Sequence, residues 1–186
     1  MARQKIISLD MDCQNAEFWC WAAVSQSISR LKGIPRTQEQ IASNHVGEVC
    51  VTTASQDSNS ACGEHCVGTC NSPHRLSRVL EDEGHKANAI EISTLSFQEI
   101  VDEIDRGEPL PLRINITTGS RGGHFICVTG YLDGGDGNEF VVIFDPLVPG
   151  LRGGSATSRT IPFDALAMNY KVNGDSGTPN FKYELS

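Results

Sequence analysis

At 186 residues, with 39% hydrophobic residues and a formal net charge of −8, the chain is long enough for one sizeable domain or two small lobes sharing a cleft. Acidic residues are spread along it and no basic stripe stands out, which argues against nucleic acid or an anionic membrane as a partner. Its longest apolar runs, "FICVTGY" and "FVVIF", are strand-sized and too short to cross a bilayer.

The opening "MARQKIISLDMDCQ" holds no apolar stretch of signal-peptide length. The chain as given is therefore expected to be cytoplasmic, exported by a leaderless route, or trimmed. A helix is predicted from about Trp21, with Val24, Ile28 and Leu31 at helical spacing and Gly33 and Pro35 as its stop. Thr37 and Gln40 form a capping box that opens a short second helix through Ile41. Residues 47–72 are polar, small and dotted with cysteine, and read as an irregular loop. "SPHRLSRVLEDEG" follows, with Ser72 as N-cap, Pro73 at the first helical position and Gly84 as the close. Ser96 and Glu99 announce a fourth helix that turns Phe97, Ile100, Val101 and Ile104 inward and ends at Gly107.

Beyond Gly107 the period changes. "PLPLRINI", "HFICVTGYL" and "EFVVIFD" read as strands between glycine-rich turns, with a last short strand near "NFKYEL". Helices first and strands afterwards predict an α+β fold. We expect a single domain over 1–186, with a helical lobe at about 12–107 and an antiparallel β lobe at about 108–186.

Cys20 stands at the mouth of the first helix, between the chain's two tryptophans, Trp19 and Trp21. A thiol in a first helical turn feels the partial positive charge of unpaired N–H groups, which favours the thiolate. The turn "DGGDGN" joins two strands into a hairpin. Folding about its centre sets His124 roughly opposite Asp145, and a slip of one residue would put them on opposite faces. A carboxylate that orients an imidazole, which in turn serves a thiol, is the arrangement of a nucleophilic triad. Gly122 and Gly123 leave the approach to His124 uncrowded. Gln14, six residues before Cys20, can donate a side-chain N–H and form an oxyanion hole with the Cys20 backbone N–H. Taken singly, Cys20 reads equally as a buried structural thiol or a reactive one, and His124 as a satisfied strand histidine. Together, and in this order, the four residues favour chemistry. Trp19 and Trp21 read as cleft walls, and Cys127 as core.

The stretch from Gln14 through "CWAA", with "GGHF" and "FDP" downstream, resembles papain-like cysteine peptidases. It is most similar to their short bacterial branch of staphopain-like secreted enzymes and a plant-pathogen effector protease. "CNSPHRL" and "SFQEIVDEIDRGEPLPLRI" sit where that branch has comparable segments, so the resemblance spans roughly residues 12–146. It implies a papain-like fold and hydrolysis of peptide bonds, with catalytic Cys20, His124, Asp145 and Gln14. Many papain relatives carry Asn where Asp145 stands. The chain as given shows no long propeptide, so the expectation is either activation by another route than propeptide removal or a chain already trimmed to its mature form. It further implies a protein or peptide substrate, a protein inhibitor as a second kind of partner, no cofactor, and a secreted or injected destination. The same machinery also serves deamidases, transglutaminases and peptide ligases. A binding module without turnover is the reading from another class.

Four of the seven cysteines, Cys50, Cys62, Cys66 and Cys70, fall in the polar loop, near His45, His65 and His74. The spacing lacks a C-x-x-C pair and is poor for zinc. Disulfides are the first reading, ahead of reduced thiols and a metal. Cys13 is either a core thiol or a bridge partner. "LRGG" at 151–154 reads as a flexible glycine loop.

Overall fold

The computed structural model describes residues 2–47, 71–118, 122–147 and 154–186. Helix α1 (Cys20–Leu31) is the spine of the first half, and every residue from Cys20 to Ser29 is buried. Its small residues, Ala22, Ala23, Ser25 and Ser29, let neighbours approach on all sides. The chain leaves α1 through Gly33 at φ +77, where Ile34 N–H reaches back to the Ser29 carbonyl. Helix α2 (Gln38–Val46) opens on the Thr37/Gln40 capping box and runs one turn further than the sequence suggests.

Helix α3 (Leu76–Asp82) starts later than expected. Ser72 does not cap it. Its carbonyl accepts from Trp21 Nε1 at 3.0 Å and its hydroxyl meets His74 Nε2 at 3.2 Å. That anchorage holds residues 72–75 alongside α1, so Arg75, in extended conformation, becomes the N-cap. Helix α4 (Phe97–Arg106) carries its capping box, Ser96 with Glu99, and ends on left-handed Gly107.

Among the described residues, strands β1 (Arg3–Ile6), β2 (Ala87–Glu91), β3 (Leu110–Ile116), β4 (His124–Asp133), β5 (Glu139–Phe144), β6 (Arg159–Pro162), β7 (Tyr170–Val172) and β8 (Asp175–Leu185) form one antiparallel sheet. The path runs β2-β8-β3-β4-β5-β6, with β1 beside β4 and β7 beside β8. β1 and β2 thus join the sheet from the helical half of the chain. They and β6 are mostly exposed, so no buried alternation marks them in the sequence. A further helix, α5 (Phe163–Asn169), buries only Leu166.

The sheet separates two cores. Phe125 and Cys127 point into a cluster with Trp21, Val24 and Ile28 of α1 and Leu76 and Leu80 of α3. Their neighbours Ile126 and Val128 point the other way, onto Ile100 and Ile104 of α4 and Leu166 of α5. Alternation along β4 therefore assigns α1–α3 to one face and α4 and α5 to the other. Helices on both faces of an antiparallel sheet give the α+β class, and the first residue of α1 meets the first residue of β4 at one edge of the interface.

Candidate active site

Cys20 is the first residue of α1, and Trp19, its N-cap, makes no side-chain cap. Cys20 is buried and lies close enough to His124 for the two side chains to hydrogen-bond. His124, first residue of β4, turns Nε2 to Asp145 Oδ1 at 2.7 Å. With Nε2 so engaged, Nδ1 is the ring nitrogen left for the thiol.

The hairpin geometry that brings His124 and Asp145 together depends on a bulge. Near the turn, β4 and β5 pair Asp133 with Glu139 and Gly130 with Val142; nearer the site they pair Val128 with Ile143 and Cys127 with Phe144. β4 therefore carries one extra residue, Thr129. Continuing the ladder by one step sets Asp145 across from Ile126, on the face of β4 to which His124 belongs. Without the bulge Asp145 would oppose Cys127 and face away. Direct opposition of His124 and Asp145, expected from folding at the centre of the turn, is replaced by a diagonal contact two residues away.

Asp145 is buried and well supported. Its Oδ1 also accepts from Leu147 N–H at 2.9 Å, and its Oδ2 accepts from the Tyr170 hydroxyl at 2.7 Å and from Arg159 at 3.3 Å. Arg159 donates to the same Tyr170 oxygen at 2.6 Å. Burial pushes the Asp145 carboxyl up, but His124, the Tyr170 hydroxyl and the Leu147 N–H outweigh it, and the pKa lies below the usual range. For His124 burial is again the largest single influence and acts downward. Asp145 and Cys20 together overcome it and raise the imidazole to about 10. Tyr170 and Arg159 carry no motif that would have singled them out; only the folded sheet shows them behind Asp145.

Gln14 lies just before this site and is buried. Its Nε2 donates to the Ala16 carbonyl at 2.9 Å and the Glu17 carbonyl at 2.5 Å, while its Oε1 is buried without a partner among the described residues. Here the amide ties down the turn leading to Cys20, and both of its N–H groups are in use.

Cys20 and His124 open on a cleft of about 700 Å³ between the start of α1 and the sheet. The helical side presents Phe18, Trp21 and His74; the sheet side presents Arg113, Phe125 and Tyr183. Trp21 is a wall, as expected, held by its bond to Ser72 and by edge contacts with His45 and His74. Trp19 is buried and lines no part of the cleft; Phe18 takes that place. Cys13 and Cys127 are buried free thiols, and burial, the largest influence on each, raises both pKa values. Cys50, Cys62, Cys66 and Cys70, and with them the disulfide expectation, lie outside the described residues, as do residues 151–153 of "LRGG". Gly154 accepts from Cys13 N–H at 2.6 Å.

A family model, the Peptidase_C39 like family, matches residues 6–177. Among solved structures, the chain is similar to the peptidase domain of Streptococcus ComA, described as a bi-functional ABC transporter involved in a quorum-sensing pathway. The TM-score is 0.51 at 14% sequence identity, covering 95% of this chain and 97% of that one. At that identity the likeness carries the fold alone. No curated protein matches the chain in sequence.

Proposed function

The chain belongs to the Peptidase_C39-like family, and from that premise we propose that it is a cysteine peptidase whose nucleophile is Cys20. The observation that carries this reading is the relay of contacts from Asp145 to His124 and on to Cys20 at the cleft. Asp145 holds the imidazole by Nε2, and Tyr170 and Arg159 hold Asp145. His124 keeps the proton in the resting site. The Cys20 sulfur attacks the peptide carbonyl, His124 delivers its proton to the departing amine, and water then releases the acyl group. The Cys20 backbone N–H, at the start of α1, stabilises the oxyanion, and Gln14 joins it when substrate draws one amide N–H away from the Glu17 carbonyl. Within papain-like peptidases, "WCWAA", "GGHF" and "FDP" support kinship with the short bacterial branch.

Mass spectrometry of a peptide mixture incubated with the protein tests this. New termini that Cys20→Ala fails to produce, in a variant with an unchanged circular dichroism spectrum, support hydrolysis. A gain of about one dalton without a cut, an amide having become an acid, would assign the same residues to deamidation instead.

A further inference from the structure

Arg113 pairs in register with Phe125 on β4 and with Phe181 on β8. The three side chains stand in one row across three strands, and all three line the cleft. Tyr183, two residues beyond Phe181, packs against Phe125 with ring centroids 5.8 Å apart. The sheet wall of the cleft is therefore a guanidinium set among three aromatic rings.

That guanidinium is held but not neutralised. It donates to the Asn180 side-chain oxygen at 2.9 Å and to the Gly122 carbonyl at 3.1 Å, both uncharged acceptors. No carboxylate pairs with it among the described residues. It lies against Gly123, where a Cβ would come 2.6 Å from an Arg113 nitrogen, so the glycine beside His124 is what makes room for it. Burial raises the Tyr183 hydroxyl to about 12, with Arg113 acting against that rise, so it is a proton donor at neutral pH. No described residue hydrogen-bonds it. Across the cleft, Arg75 is exposed and also lacks an ion pair among the described residues. Two such cations, against Glu17 as the one acid among the described lining residues, stand out in a chain of net charge −8.

We infer that this wall selects peptide substrates by a carboxylate-bearing side chain, glutamate or aspartate, placed close to the scissile bond and seated on Arg113. This rests on the peptidase reading and narrows it to a substrate class. The aromatic rings cover the apolar stem, the guanidinium and the Tyr183 hydroxyl take the carboxylate, and the nearness of Gly123 to His124 fixes the distance to the cut. A lysine there meets like charge, and a leucine covers the guanidinium without compensating it.

The test is a randomised peptide library incubated with the full chain, with the cut products sequenced. The best sequence is then remade with Glu, Gln, Leu or Lys at the selected position. Glutamate or aspartate should be enriched at one fixed position within about three residues of the cut, and kcat/KM for the Glu peptide should exceed that for Gln by about tenfold or more. Arg113→Met should bring that ratio near one, and Tyr183→Phe should lower it. Because the ratio is taken on one preparation, it is insensitive to any loss of folded protein. Cutting without acidic enrichment, a ratio that survives Arg113→Met, or cuts confined to C-terminal residues (a free chain-end carboxylate) would overturn the inference and leave the peptidase standing. Failure to cut any peptide would remove both.

Discussion

Asp145 reaches His124 across its hairpin because Thr129 adds one residue to β4: Nε2 and Oδ1 meet at 2.7 Å although their strands would otherwise place them on opposite faces. The bulge sits next to Gly130, where β1 crosses closely and a Cβ would come 2.8 Å from the Lys5 carbonyl oxygen. Gly130→Ala must push β1 aside or reshape the bulge, and should lower stability by about 1–3 kcal/mol. Chemical denaturation measures this. An unchanged midpoint would mean that β1 docks without needing the glycine.

The charge on Asp145 sets the pH range of the site. His124 is raised to about 10 in the fold, against about 6.5 when unfolded. Its contribution to stability is therefore complete below about pH 6.5 and is lost as pH rises through about 10. The basic limb of kcat/KM should fall over that upper range, as the proton needed by the leaving amine is lost. Asp145→Asn leaves burial, which acts downward, with only Cys20 to oppose it. The basic limb should then move to lower pH. A limb that stays in place would show that His124 is not the group titrating.

Tyr170 is buried and donates to Asp145 Oδ2 at 2.7 Å. Tyr170→Phe removes a hydrogen bond to a charged group and should cost about 1.5–3 kcal/mol. Asp145 lies below its ordinary pKa in the fold, so its stabilisation is present above the unfolded value and lost as pH falls through the folded one. The variant should therefore begin its acid unfolding at a higher pH than the parent. Thermal melts from pH 3 to 7 decide it; melts that differ from the parent by the same amount at every pH would assign Tyr170 a packing role only.

Gln14→Ala should lower kcat by about two to three orders of magnitude if the amide turns to the oxyanion. Gln14 also holds the Ala16 and Glu17 carbonyls, so a loss of turnover needs a companion measurement. Inhibition by an uncharged substrate analogue should be nearly unchanged, because a planar ground state makes no call on the oxyanion donor. A variant whose analogue binding falls as far as its kcat would have lost the shape of the turn instead.

Much of this site was legible in the chain. Cys20 at a helix start, the capping boxes at Thr37 and Ser96, and the β4–β5 hairpin all follow from local signals: spacing, caps and turn residues. α3 starts at Leu76 and not at Pro73 because a tertiary bond, Trp21 to the Ser72 carbonyl, overrides the cap signal of Ser72. Thr129 gave no sign of a bulge, since a bulge is a relation between two strands. Arg159 and Tyr170 were missed for a similar reason. They act on Asp145 from β6 and β7, strands of four and three residues, too short for a burial alternation to mark them in the sequence.

The central claim is that His124 makes Cys20 a nucleophile, and the rate at which a peptidyl epoxide labels that one thiol tests it most directly. Full-length protein is treated near neutral pH, quenched at intervals, and mapped by peptide mass spectrometry. Buried Cys13 and Cys127 serve as internal references. The account expects Cys20 to be labelled first, at one adduct per chain, and at least about a hundredfold faster than in folded His124→Ala, since the thiol and imidazole act as a unit. Labelling of Cys20 at the same rate in both proteins would contradict it.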